Sequence, residues 1–458
     1  MTGLALIAPE AILLGGAIVA LFADVLARGR VRAGVWVGAA AALLASGAAL
    51  AAGHGAPSLF AGQFAVDGAA QVARVATGVL TSAFLIWLGA SGLPRGSVRD
   101  FTALVLFSAL GAMLMCGARD WVVLLLALET ATMPAYVLMG FDRGDERSLE
   151  GALKYFLLSM VASVLFLYGL SFVIGMTGST AMAATRLQPG LIGAVAASFV
   201  VAGLLAKLSA APFQWWAPDA YAGAPAAAVA FVSAVPKVAG LVAFARVVIV
   251  LSPQTQALPL LLAGAAVLSM LLGNLAAYPQ TDLRRLMAYS GVAHAGYLLV
   301  GLAAGGGDGA RGALFYAIAY AVPSMGVMLV VAAIGNTLGE FRGLGNRRPF
   351  LAWATLIMLL SLVGIPPLAG FTGKLYLFTA AMRAGLVPLS VLALVMSAVS
   401  AGFYFRIVRA MFFESATTDV PAPRVPVLAG AIVGACCLAV VAIGVVSGPL
   451  LAAISFAP

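Results

Sequence analysis

An all-α polytopic membrane protein of about fourteen transmembrane helices is the fold class this sequence predicts, and three observations predict it. The 458-residue chain has a mean hydropathy of +1.09, with 63% hydrophobic and only 9% charged residues. Apolar runs of about eighteen residues or more, the length needed to cross a bilayer as a helix, recur from end to end. No polar stretch is long enough to fold outside the bilayer, so residues 1–458 read as one integral membrane domain.

Charged or Gly/Pro-rich breaks separate the runs into candidate spans at 4–26, 31–53, 70–91, 99–117, 120–141, 151–176, 190–221, 224–250, 257–278, 285–304, 311–335, 349–383, 386–412 and 425–452. The first has no basic segment before it and is followed by Arg28, Arg30 and Arg32. That order predicts a retained helix rather than a cleaved signal. The seventh and twelfth are too long for one crossing. Each contains a breaker, SAAPF around Pro212 and GIPPLAGFTGK from Gly364 to Lys374. Proline removes an amide donor, and hydrocarbon tolerates the loss only where protein or water supplies new partners. Helices 7 and 12 are therefore expected to be discontinuous.

An internal repeat lies at an offset of 161 residues: Gly151-Ala-Leu-Lys154-Tyr155 matches Gly312-Ala-Leu-Phe315-Tyr316, and Ala135-Tyr136 matches Gly296-Tyr297. At an offset of 160, Arg246-Val-Val matches Arg406-Ile-Val. The reading is an N-terminal group of three helices (1–96), a first repeat of helices 4–8 (97–250), a second of helices 9–13 (257–412) and a last helix (425–452). Five helices is an odd number, so the two units are inverted with respect to the bilayer, as in transporters whose sites lie near mid-depth.

The net charge of +9 is not a nucleic-acid footprint, and no nucleic-acid partner is expected. The arginines are read as loop residues. Fourteen follow odd-numbered spans, while Arg74, Arg119, Arg186, Arg311 and Arg383 follow even-numbered ones. Basic loops stay inside, which puts both termini outside. Cys116, Cys436 and Cys437 lie in apolar runs without ligand spacing, so neither a disulfide nor a metal is expected. No phosphate loop, CxxC pair or HExxH occurs.

All four lysines, Lys154, Lys207, Lys237 and Lys374, fall inside candidate spans. Arginine keeps its proton, whereas a desolvated lysine can exchange one near neutrality. Intramembrane lysines beside broken helices are how a proton path is made. Glu129, eight residues past Trp121 and so about 12 Å along its helix, is placed near mid-membrane as the partner of Lys207. His294 can relay protons between the halves. Snorkelling competes for Lys154, and for Lys374 the competing reading is a cation capping the first half-helix's carbonyls. Asp219 reads as a turn former or outlet residue, His54 as inert, and Tyr136, Tyr289 and Tyr297 as packing or water-anchoring residues rather than carriers.

LETATMPAYVLMG (128–140), PFQWWAPDAYAGAP (212–225), AVPKVAGL (234–241), TDLRRLMAYSGVAHAGYLL (281–299) and GIPPLAGFTGKLYLF (364–378) together resemble the antiporter-like membrane subunits of bacterial respiratory complex I, NADH–quinone oxidoreductase. Within them, a short chain, no long lateral helix after the last span and lysine rather than glutamate at 374 resemble the subunit N class. The resemblance implies proton-pathway roles for Glu129 (the fifth-helix acid), Lys207, Lys237, Lys374 (the terminal carrier) and His294. Lys154 is the less certain addition. It further implies a translocase subunit with no redox chemistry and no cofactor of its own. NADH, FMN, iron–sulfur clusters and quinone would sit in or between partner subunits. Those partners would be other complex I membrane subunits, further antiporter-like ones included, in the lipid of a bacterial inner membrane with both termini periplasmic. The mechanism it suggests is electrostatic, with Glu129 stabilising a proton on Lys207 that then moves through Lys237 and His294 to Lys374. A cation/proton antiporter subunit of a multisubunit Na+/H+ antiporter or of a membrane-bound hydrogenase is the alternative.

Overall fold

A computed structural model describes residues 3–26, 32–52, 59–92, 97–416 and 424–456. His54, Arg28, Arg30 and Arg95, assigned above to loops, lie outside the described residues. The N-terminal group comprises α1 (Gly3–Leu6), α2 (Ala8–Leu26), α3 (Ala33–Ala51) and α4 (Gly68–Ser91). There follow α5 (Val98–Gly117), α6 (Trp121–Met139), α7 (Glu146–Thr177), α8 (Leu191–Lys207), α9 (Trp216–Gly223), α10 (Ala226–Val232) and α11 (Val235–Leu251). The next group is α12 (Ala257–Ala277), α13 (Leu283–Ala303), α14 (Gly306–Ile334), α15 (Leu344–Arg347), α16 (Pro349–Val363), α17 (Ala369–Arg383) and α18 (Val387–Phe413). The chain closes with α19 (Val427–Val445) and α20 (Ser447–Ala453). Among the described residues β-pairing is confined to isolated bridges.

Ten of these helices, with the run Ala226–Gln254 that holds α10 and α11, make eleven segments long and apolar enough to span a membrane, and three shorter apolar ones, Ala8–Ala23, Leu191–Lys207 and Pro349–Val363, accompany them among the described residues. The helices α13 and α14 are almost wholly buried, whereas α7 and α19 expose most of their surface. Leu153, Leu157, Val161 and Val164 line the open side of α7. An apolar exterior around a polar centre is the arrangement a lipid solvent demands.

Both overlong runs are broken as expected. The helix α8 stops at Lys207, and Leu208–Trp215 is irregular, with Ser209 at φ +62° and the Ala211 amide donating to Ser269 Oγ at 2.8 Å. In the second break α16 ends at Val363, and Gly364 (φ +96°) turns the chain toward α17. A third interruption, at Ser233–Ala234 between α10 and α11, falls inside the span read as continuous from 224 to 250. Pro236, at the second position of α11, tolerates a helix start, so no breaker advertised it.

Two features recur at an offset of 162 residues. Asp120 and Asp282 each cap a helix by accepting two amide hydrogens, at the starts of α6 and α13. A Cβ on Gly111 would fall within 2.2 Å of the Ala131 amide, and one on Gly273 within 2.4 Å of the Ala293 amide. Only glycine allows these backbone approaches, which lock α5 on α6 and α12 on α13.

One assignment needs correction. Arg74 was counted as a loop cation, yet it lies inside α4, fully buried, and ion-pairs with Glu10 of α2 while donating to Leu6 O at 2.8 Å. Its removal from the loop count widens the arginine asymmetry. A second buried pair joins Asp67, at the start of α4, to Arg246, bidentate at 2.7 and 2.8 Å. Both pairs were missed because their members lie 64 and 179 residues apart, and neither acid falls in a motif.

Candidate functional site

Five of the six lysine, glutamate and histidine candidates lie along one polar line inside the bundle, partly to fully buried. At its first end Glu129 projects from the middle of α6 toward Lys207, the last residue of α8, with Nζ to Oε1 at 3.2 Å. Because the half-helix ends there, its side chain enters the bundle at a broken turn rather than along a continuous helix wall. The ammonium also donates to Ser159 Oγ at 2.7 Å and to Tyr136 Oη at 3.2 Å. Ser163 donates to the same carboxylate oxygen, and Glu129 Oε2 is buried without a protein partner. A charged group in low dielectric needs such a set of partners.

Beyond Lys207 lies an enclosed cavity of about 40 Å³ whose lining includes both Lys207 and Lys237. A water needs roughly 10–15 Å³ on this measure, so there is room for about three. Lys237, at the start of α11, points its ammonium at the rings of Tyr320 (5.5 Å) and Tyr221 (6.0 Å). The hydroxyls of both tyrosines are buried without protein partners.

Tyr320 in turn packs on His294, ring centroids 4.7 Å apart. His294 is buried in α13, with Nδ1 hydrogen-bonded to Tyr316 Oη at 2.6 Å and Nε2 to Tyr404 Oη at 3.2 Å. Tyr404 pairs further with Ser290. Tyr297 follows at 5.5 Å from His294, and Lys374 Nζ lies 4.8 Å above the Tyr297 ring. Buried Lys374 donates to Leu362 O (3.0 Å), Val363 O (2.8 Å) and Ser397 Oγ (2.7 Å). It therefore caps the carbonyl end of α16, the geometry the competing reading described, while also closing the polar line.

Lys154 stands apart. Near the start of α7 it is about half-exposed and pairs with Glu150 at 2.7 Å and Asp219 at 3.0 Å. Asp219 also meets Arg285 at 3.3 Å, in a charged cleft of about 360 Å³. At the matching place of the second repeated segment, Asp308, Arg311 and Arg383 line a cleft of about 410 Å³. The sequence reading missed the tyrosines Tyr316, Tyr320 and Tyr404 and the serines Ser159, Ser163 and Ser397. Hydroxyls cost little in a membrane span, so their presence carries no warning by itself; only their helical register opposite the lysines could have marked them.

Comparison with known proteins supplies the family. A model of the NADH:quinone oxidoreductase/Mrp antiporter transmembrane family matches residues 118–400, a segment that holds all six candidates. The chain belongs to this family. Similar members include NADH-quinone oxidoreductase subunit N of Rhodospirillum rubrum, 39% identical over 79% of this chain and 77% of that protein. The corresponding subunit N of Sphingopyxis alaskensis is 37% identical over 99% and 98% of the two chains. Among solved structures, a chain of respiratory complex I from Thermus thermophilus with bound aureothin is 34% identical, with a TM-score of 0.84 over 97% of this chain and 98% of that one. The Mrp complex from Dietzia sp. shares the fold, with a TM-score of 0.86 at 21% identity over 99% and 96% of the chains. Family membership and the all-helical membrane fold thus agree with the resemblance carried by the five motifs.

Proposed function

We propose that this chain is a proton-translocating subunit, of the subunit N class, in the membrane arm of a bacterial NADH–quinone oxidoreductase. It moves protons across the inner membrane while partner subunits oxidise NADH and reduce quinone. The observation that carries the reading is the succession of groups from Glu129 and Lys207, through the shared cavity and Lys237, to buried His294 and Lys374. Each can hold or pass a proton, and each lies close enough to the next for its charge to bias that neighbour. Glu129 and Lys207 form the primary pair: a charge displaced in an adjoining subunit draws the carboxylate's field away, and the lysine's proton passes inward to Lys237. His294, between two tyrosine hydroxyls, hands it toward Lys374. The two inverted five-helix units, 97–250 and 257–412, place one charged cleft at each end of this line, with both chain termini periplasmic. The subunit carries no redox group of its own; the electron chemistry belongs to its partners.

Lys207→Ala and Glu129→Gln in the assembled complex, in inverted membrane vesicles, test the reading. Both variants are expected to lose most NADH-driven acidification and to slow quinone reduction together with it. Full pumping by both would remove the proposal. A cation/proton antiporter subunit is the second reading, favoured by the fold shared with the Mrp complex. Co-purification with hydrogenase or antiporter subunits, or Na+/H+ exchange by reconstituted protein, would establish it instead.

A further inference from the structure

The lining of the charged cleft around Lys154 and that of the inner cavity at Lys207 adjoin at an aromatic stack. Tyr155 follows Lys154 directly on α7, and Trp216 precedes Asp219 by one turn on α9. Lys154 and Asp219 line the outer cleft; Tyr155 and Trp216 line the inner cavity. The two rings lie face to face, with centroids 4.2 Å apart and planes within 13°. Both are buried. Trp216 is held in place by its indole N–H, which donates to Ala206 O at 2.9 Å in the last turn of α8, one residue before Lys207. The helices carrying the stack are pinned together beside it. A Cβ on Gly223 would fall 2.2 Å from Arg147 O, and one on Gly151 would fall 3.3 Å from the Ala220 backbone.

We infer that the Tyr155–Trp216 stack is the barrier between this cleft and the Lys207 site. This rests on the proton-pathway reading above. The cleft carries Arg147, Arg284 and Arg285, cations that the loop-charge rule assigns to the cytoplasm. Lys154, Glu150 and Asp219 form an ion-paired set at its mouth, within reach of bulk water. The stack is apolar across its faces, so while closed it opposes the passage of water and with it free proton leak. Because Trp216 is fixed to the end of α8, any shift of Lys207 with that helix end moves the indole too. Gate and lysine are thus mechanically one unit, and the stack opens when the Lys207–Glu129 pair is disturbed.

The test uses the whole complex in membrane vesicles. Ala222→Cys places a thiol in the cleft and Leu208→Cys places one in the inner cavity. A charged, membrane-impermeant methanethiosulfonate reagent added at the cytoplasmic face is expected to label the first rapidly and the second not at all. Combining Leu208→Cys with Trp216→Ala should expose the inner thiol and raise passive proton conductance several-fold without NADH. Tyr155→Phe, which keeps the ring, should leave both readings at the parental level. Equal labelling of the two thiols with Trp216 present would overturn the inference. So would unchanged conductance in assembled Trp216→Ala complex. Should Trp216→Ala fail to assemble, the labelling contrast in the otherwise native chain decides. If Lys207→Ala abolishes pumping while the inner thiol labels freely, the pathway stands and the barrier alone is refuted.

Discussion

At Lys207 one ammonium meets a carboxylate and two hydroxyls within 3.2 Å. A hydrogen bond to a charged group contributes about 1.5–3 kcal/mol. Ser159→Ala removes the shortest of them and should therefore cut coupled proton pumping by about tenfold, as seen by acidification of inverted vesicles. Tyr136→Phe removes a longer bond and leaves the ring's cation contact, so its loss should be smaller. An equal, undiminished rate in both variants would show that the hydroxyls only fill space. The four lysines and Glu129 were legible from composition because ionisable groups are expensive in hydrocarbon and stand out. Their partners were not, since a serine or tyrosine in a membrane helix looks alike whether it faces lipid or a lysine. For Lys154 the sequence already offered a place near the surface through snorkelling; what only the fold shows is its pairing with Asp219 of another helix.

The helix breaks operate at the next scale up. Gly364 ends α16 with φ +96°, and a Cβ there would meet Lys374 Cδ at 3.1 Å and Nζ at 3.3 Å. Gly385 has a similar φ, +81°, after α17 but faces open space. Alanine at either position costs about 1 kcal/mol or more in backbone strain. Gly364→Ala alone also pushes the ammonium off the Leu362 and Val363 carbonyls. Both variants should lose a few degrees of thermal stability in detergent, but only Gly364→Ala should lose pumping. Matched pumping would mean that the position of Lys374 is unimportant. The breaks at 208–215 and 364–368 were visible in the sequence because proline and glycine punctuate otherwise uniform apolar runs. The break before Lys237 was hidden, since Pro236 sits where a helix accepts it.

Across the whole molecule the buried charges divide into two kinds. Lys207, Lys237, Lys374, Glu129 and His294 form the line through the two repeated segments. Arginines, with Glu10 and Asp67, tie the N-terminal helices to the rest: Arg246 of α11 grips Asp67 at the start of α4 and accepts Phe456 against its guanidinium at 5.6 Å. Arginine does not release its proton, so these pairs cannot carry one, and their part is to hold helices in place. A broken buried pair strands a charge and costs about 3–5 kcal/mol, whereas replacing both partners by apolar groups is often neutral. Glu10→Leu alone should therefore lower the yield of assembled complex sharply. Glu10→Leu combined with Arg74→Met should restore it, with pumping per NADH equal to the parent. The same paired rescue applied to Glu129 and Lys207, by Glu129→Leu with Lys207→Met, should restore assembly and leave pumping absent. That contrast separates charges kept for architecture from charges kept for transport. Loss of pumping in the assembled Glu10/Arg74 double variant would place those residues in the path and end the division.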